Sequence, residues 1–163
     1  KPLKAKFEVK GFPSDIAGAE KLAKSDHFEF EQWVVEYKLQ GHQTKKTGDG
    51  GFDGHIIMDY LGKKLEVLIE VKSGGCGIKN LREFQNVIER QKSDMGFFVC
   101  FNKHVTSGMQ KECDSSDAVK LIQEDGKIKT DFRNLKKIKI LTIEDLIQNK
   151  FEEFKELIIN KTY

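Results

Sequence analysis

Apolar residues change their period along this chain, and each change marks an element. The stretch "PSDIAGAEKLAKSDHFEFEQWVVEYKLQG" predicts a short helical piece capped by Ser14 or Asp15, then an amphipathic helix over residues 28–39 that Gly41 ends. Within that helix Phe30, Trp33, Val34, Tyr37 and Lys38 recur at intervals of three and four, which places them on one buried face. Trp33 and Tyr37 are therefore expected in the core. "HQTKKTGDGG" is polar and glycine-rich and reads as a loop. The period then falls to two in "FDGHIIMDYL" and "KLEVLIEVKS", two strands that reverse near "GKK". On the second strand side chains alternate, so Leu68, Glu70 and Lys72 leave one face and Val67, Ile69 and Val71 the other.

Helical spacing returns after "GGCG", where Ile78, Leu81, Phe84, Val87 or Ile88 and Gln91 predict a further helix. "MGFFVCF" is an apolar run suited to a buried strand, "TSGMQKECDSS" a brief helix or turn, and "KIKILTI" another strand before the helical "EDLIQNKFEEFKELIINK". Residues 112–137 read as a charged insertion with a hairpin at Asp125-Gly126. The order helix, strands, helix, strand, strand, helix gives an α/β sandwich rather than a bundle or a barrel.

A length of 163 residues suits one compact domain, expected over 13–163 after a linker or edge segment at 1–12. An apolar fraction of 38% with 12 Phe supplies a core, and a charged fraction of 33% a solvated surface. No apolar run reaches the roughly 18 residues that span a bilayer, and the basic N-terminal stretch lacks the apolar centre of a signal peptide. A cytoplasmic chain with no membrane partner is expected, and the absence of an initiator Met suggests excision from a longer polypeptide. Cys76, Cys100 and Cys113 show no metal-type spacing and are expected to be free thiols without assigned chemistry. A net charge of +2 is too small to imply a polyanionic partner, so particular residues have to decide the function.

Two carboxylates and a lysine are the strongest candidates. Asp53 opens the first strand of the pair and Glu70 lies on the second, so neighbouring backbones bring two hard oxygen donors to one place. The Val71 carbonyl offers a third. Such a set suits a hard divalent cation, which serves phosphodiester hydrolysis by activating water and offsetting charge on the phosphoryl oxygens. Lys72, on the same face as Glu70, is placed to hold the attacking water or neutralise developing charge. A further carboxylate from the preceding helix, Glu31 or Glu29, would complete the site. An EF-hand loop is excluded at 49–60, where the acidic positions three and twelve are missing.

"GDGGFDG" followed by "IEVKSGG", with "FEFEQWV" upstream, resembles the PD-(D/E)xK nuclease superfamily, in particular its Mrr-type restriction endonuclease branch. The likeness runs on through "GIKNLREFQNVIERQKSDMGFFVCF" and "KIKILTIEDLI", and is similar to the C-terminal nuclease-like domain of restriction-system DNA methyltransferases. The resemblance implies a three-layer sandwich, a central mixed β-sheet flanked by helices with an αβββαβ core. It implies a Mg2+-dependent DNA endonuclease of a bacterial or phage-associated restriction system, with Mn2+ able to substitute. Asp53, Glu70, Lys72 and Glu31 fall on the catalytic positions. It also implies DNA as partner, a methyltransferase or recognition domain in the same polypeptide, and a homodimer for cutting both strands. A catalytically silent DNA-binding or partner-binding module and a Holliday junction resolvase are the alternatives.

For DNA contacts the sequence offers Lys45 and Lys46, which precede the acidic turn, and Lys79, Arg82, Gln85 and Asn86 on the helix after the core strand. His55 shares the side of Asp53 on its strand, while His27, His42 and His104 show no partner spacing. Gly74 and Gly75 leave room for another backbone to approach.

Overall fold

The computed structural model describes residues 12–44, 51–60, 62–122, 128–130 and 135–151. Asp15 caps α1 (Ile16–Ser25) by accepting from Gly18 N–H at 2.8 Å. Asp26 then closes α1 with its own N–H on the Leu22 carbonyl and opens α2 (His27–Gln32) by accepting from Glu29 N–H at 3.0 Å. The helix continues as a π turn over Trp33–Lys38, with Leu39 N–H reaching back five residues to the Val34 carbonyl.

A five-stranded mixed sheet comes next, built from β1 (His42–Gln43), β2 (Gly54–Tyr60), β3 (Lys63–Val71), β4 (Met95–Cys100) and β7 (Ile138–Thr142), adjacent in that order. The β1-β2 and β2-β3 pairs are antiparallel, and β3-β4 and β4-β7 parallel. Helix α3 (Ile78–Arg90) makes the crossover from β3 to β4. A short 3₁₀ turn (Asn102–His104) and α4 (Ser107–Asp114, capped by Thr106) lie between β4 and a separate two-stranded ribbon. That ribbon pairs β5 (Lys120–Ile122) with β6 (Ile128–Thr130), the arrangement expected about Asp125-Gly126, although those two residues lie outside the described ones. Helix α5 (Ile143–Ile147) closes the described chain. The three-layer α/β sandwich is the expected architecture.

Alternation along β3 builds two cores. Val67, Ile69 and Val71 pack with Phe30, Trp33, Val34 and Val35 of the α2 segment and with Phe97 and Val99. Leu68 packs on the opposite face with Leu81, Phe84 and Ile88 of α3, and with Phe98 and Ile140. Glu70 shares the Leu68 face, which is covered and not solvated, since Leu68 is only 2% exposed.

Three expectations are corrected. Tyr37 is 43% exposed and Lys38 half-buried, while Val35 and Leu39 are fully buried; the π turn carries an extra residue and shifts the helical phase between Val34 and Leu39. The left-handed residue after the helix is Gln40, at φ 59°, and not Gly41. Instead, Gly41 lies where any Cβ would collide with Ile56 and the His55 carbonyl. The supposed loop at 42–51 begins with β1, which extends the sheet by one short strand.

Gly54 has a similar packing reason, because a Cβ there would lie 2.6 Å from Val35 Cγ1 and 2.9 Å from the His42 carbonyl oxygen. A Cβ on Gly74 meets nothing within 4 Å. Gly54→Ala is therefore expected to lower stability by about 1–3 kcal/mol in urea denaturation through overpacking, and Gly74→Ala to stay within about 0.5 kcal/mol of the parent. Equal midpoints for both variants would refute this account of the Gly54 contact.

Candidate active site

Asp53 immediately precedes β2, and its backbone is held from both sides. Its N–H donates to the Ile69 carbonyl and its carbonyl accepts from Thr44 N–H, each at 2.8 Å. Asp53 Oδ2 also accepts from Val71 N–H at 2.7 Å, which fixes the carboxylate beside the end of β3. Lys72 N–H in turn donates to the Val99 carbonyl of β4 at 2.8 Å. The amide groups that aim this cluster are thus committed to neighbouring segments of the sheet.

The side chains converge. Lys72 Nζ lies 3.1 Å from Glu70 Oε2, with the glutamate side chain only 16% exposed and the lysine 30%. Burial first, and the adjacent Asp53 carboxylate second, push the Glu70 carboxyl from 4.5 up to about 8 against the opposing pull of Lys72. Two carboxyls forced together beside one ammonium form a site whose negative charge is incompletely balanced. A hard cation would balance it, and the donors fit one: two carboxylate oxygens, with the Val71 carbonyl at the same strand end.

Glu31 is brought to the protein interior at 9% exposure, but on α2, whose packing face is the Val67-Ile69-Val71 side of the sheet. Among the described residues no three His, Cys, Asp or Glu side chains form a metal-binding group, so Glu31 does not make a triad with Asp53 and Glu70 in this arrangement. Glu29 is exposed in the first turn of α2. His55 sits two residues beyond Asp53 with its ring 5.6 Å from that of His42, its partner across β1-β2.

Of the residues expected to meet DNA, Lys45 and Lys46 lie outside the described residues. Lys79 and Asn86 are exposed on α3. Arg82 is engaged with Glu112 of α4 at 3.2 Å, and Gln85 is half-buried beside α4.

Sequence reasoning missed a thiol pair. Cys76, in the loop after Lys72, meets the buried Cys100 at the end of β4. The Cys100 hydrogen bond, together with Lys72, lowers the Cys76 thiol against its partial burial, whereas the Cys76 contact and burial push Cys100 up. Burial also pushes Cys113 to about 11. No spacing motif signals the pair, because the parallel β3-β4 register creates it.

Both sets of shifts have measurable effects. A carboxyl whose pKa is raised on folding binds its proton more tightly folded than unfolded, so stability is greatest below pH 4.5 on this account and falls as pH rises to about 8. Chemical denaturation in EDTA is expected to show that decline between those pH values, and Glu70→Gln to flatten it; an unchanged slope would contradict the charge crowding at Glu70. For the thiols, limiting iodoacetamide at neutral pH is expected to label Cys76 before Cys100 and Cys113. Preferential labelling of either buried thiol, located by peptide mass mapping, would count against the lowered Cys76.

No curated protein and no solved structure matches the chain significantly. A family model does: that of the restriction endonucleases of Mrr catalytic type matches residues 22–128, which runs from α1 through the acidic turn, β3 and α3 to β6. With most of its length matched, and with a five-stranded mixed sheet carrying helices on both faces, the chain belongs to the restriction endonuclease family.

Proposed function

We propose that this chain is the catalytic domain of a metal-dependent DNA endonuclease, a phosphodiester hydrolase of a restriction-modification or related defence system. The observation that carries the reading is the meeting of Asp53, Glu70 and Lys72 at one end of the β2-β3 pair, inside a family of endonucleases. Asp53 and Glu70, with the Val71 carbonyl, would hold Mg2+, with Mn2+ as a substitute. Bound there, the ion would supply Lewis-acid stabilisation of phosphoryl charge and a more acidic water.

The chain's own groups do the rest. The Val71 N–H keeps Asp53 from swinging away from the strand end. Lys72, tethered by Glu70, presents an ammonium that hydrogen-bonds the attacking water and offsets charge on the phosphoryl oxygens. The water oxygen bonds to phosphorus and gives up one proton to solvent, while the ester oxygen leaves with its electron pair and takes one proton from solvent. Gly74 and Gly75 leave open space past Lys72 for a DNA backbone. Glu31 serves this reading as the further carboxylate from the helix, and Lys45, Lys46 and Lys79 as phosphate contacts. The domain reading is a single unit over 13–163, a methyltransferase or recognition part elsewhere in the polypeptide, and pairing of two copies to cut both strands.

Supercoiled plasmid is expected to be nicked or linearised in Mg2+ or Mn2+ by the parent chain. Asp53→Ala and Lys72→Ala should each lose at least about 100-fold in rate, the usual size of a lost charge-stabilising group. Gel assay of the three proteins, purified alike, checks this. Equal cleavage by all three would expose a contaminant, and bound but uncut DNA with the parent would favour a silent binding module.

A further inference from the structure

The strand end that carries Lys72 runs directly into a groove that the site residues leave unused. Its volume is about 250 Å³, and it lies between α1, the start of α2 and the 3₁₀ turn after β4. Lys24, His27, Lys103 and His104 line it from three separate elements, with Ser73 and Gly74 as its near wall. The Phe101 ring, itself 2% exposed, contributes an apolar part of the lining. None of these basic side chains is adjacent in sequence to the acidic turn, so only the fold gathers them.

We infer that this groove binds a phosphodiester of the DNA strand on one side of the reacting phosphate; the inference rests on the proposed nuclease reading and adds a positioning site to it. Three observations support it. Ser73 and Gly74 follow Lys72 directly, and two residues span at most about 7 Å even when fully extended. The groove wall therefore begins beside the proposed catalytic lysine, within reach of a neighbouring phosphate of the same strand. Gly74 carries no side chain into open space, so a sugar-phosphate backbone can pass from one site to the other. The lining side chains differ in exposure: Lys24 and His27 are exposed, His104 is half-buried, and Lys103 is paired to Glu20 at 3.1 Å. Glu20 holds Lys103 over the groove and also subtracts its charge, so its removal should strengthen anion binding.

Fluorescence anisotropy of a labelled DNA duplex in EDTA, measured across a salt series, tests this on the intact chain. Lys24→Ala combined with His104→Ala is expected to weaken binding about tenfold and to reduce the slope of log affinity against log salt by about 1, the loss of one phosphate contact. Glu20→Gln is expected to tighten binding and to steepen the slope by about 1. Lys63→Ala with Lys64→Ala, at the far end of β3, should change neither quantity. The opposed effects of the first two variants keep misfolding from imitating the result, and thermal melts confirm that each is folded.

Unchanged binding in both groove variants overturns the inference while leaving the cleavage reading intact. Groove-dependent binding by a parent chain that cuts no DNA sustains the groove and sinks the nuclease reading. A parent chain that does not bind the duplex overturns the groove. Displacement of the duplex by inorganic phosphate, beyond that caused by chloride at equal ionic strength, would assign the groove to a free anion and overturn the strand reading.

Discussion

The hydrogen bond from Val71 N–H to the Asp53 carboxylate is the constraint on which the site depends. It joins the entry of β2 to the exit of β3 through a side chain instead of a ladder bond, at the point where the two strands would otherwise separate. Because the Asp53 main chain is already bound to Ile69 and Thr44, only rotation about its side-chain bonds could carry the carboxylate away, and the Val71 N–H opposes that. Glu70 then has no room to avoid it. Burial first, and crowding by Asp53 second, raise the Glu70 carboxyl as consequences of sheet geometry, and Lys72 only partly offsets them. Stability has been given up locally to keep two acidic groups together, a pattern typical of functional sites.

The two faces of β3 divide the labour. One face is anchored by the α2 segment and supplies the larger core, including Trp33, Ile69 and Phe97. The other is sealed by α3, which approaches β4 closely because Gly96 has no side chain: a Cβ there would lie 2.5 Å from Ile88 Cδ1. With apolar contacts on both sides, the central strand cannot slip by one residue without burying Glu66 and exposing Leu65. Register at Glu70 and Lys72 is therefore set by residues that do no chemistry.

Much of this was legible in the sequence, for a physical reason. A strand with period two declares which residues share a face, so Glu70, Lys72 and Leu68 could be grouped before any fold was known, and the Asp53 turn lay one hairpin away. Contacts between distant elements were not legible. The collision that forbids a side chain at Gly54 comes from Val35 on the helix, the engagement of Arg82 needs α4, and the Cys76-Cys100 meeting needs the crossover to bring β4 beside β3. The exposed Tyr37 was misread because a helical period was assumed to be constant through a turn that carries an extra residue.

That turn also bears on how the chain tolerates insertion and deletion. In a regular helix each residue advances about 100° around the axis, and the π turn over Trp33–Lys38 absorbs one additional residue without rotating Leu39 out of the core. Removing that one residue would restore regular winding and leave Leu39 and the exit at Gly41 in place against Ile56, whereas a deletion outside the turn would rotate them away. The π turn is thus the place in this segment where the chain can lose one residue and keep its core contacts. Among sequences that share this helix-to-sheet junction, a one-residue difference in length should fall there.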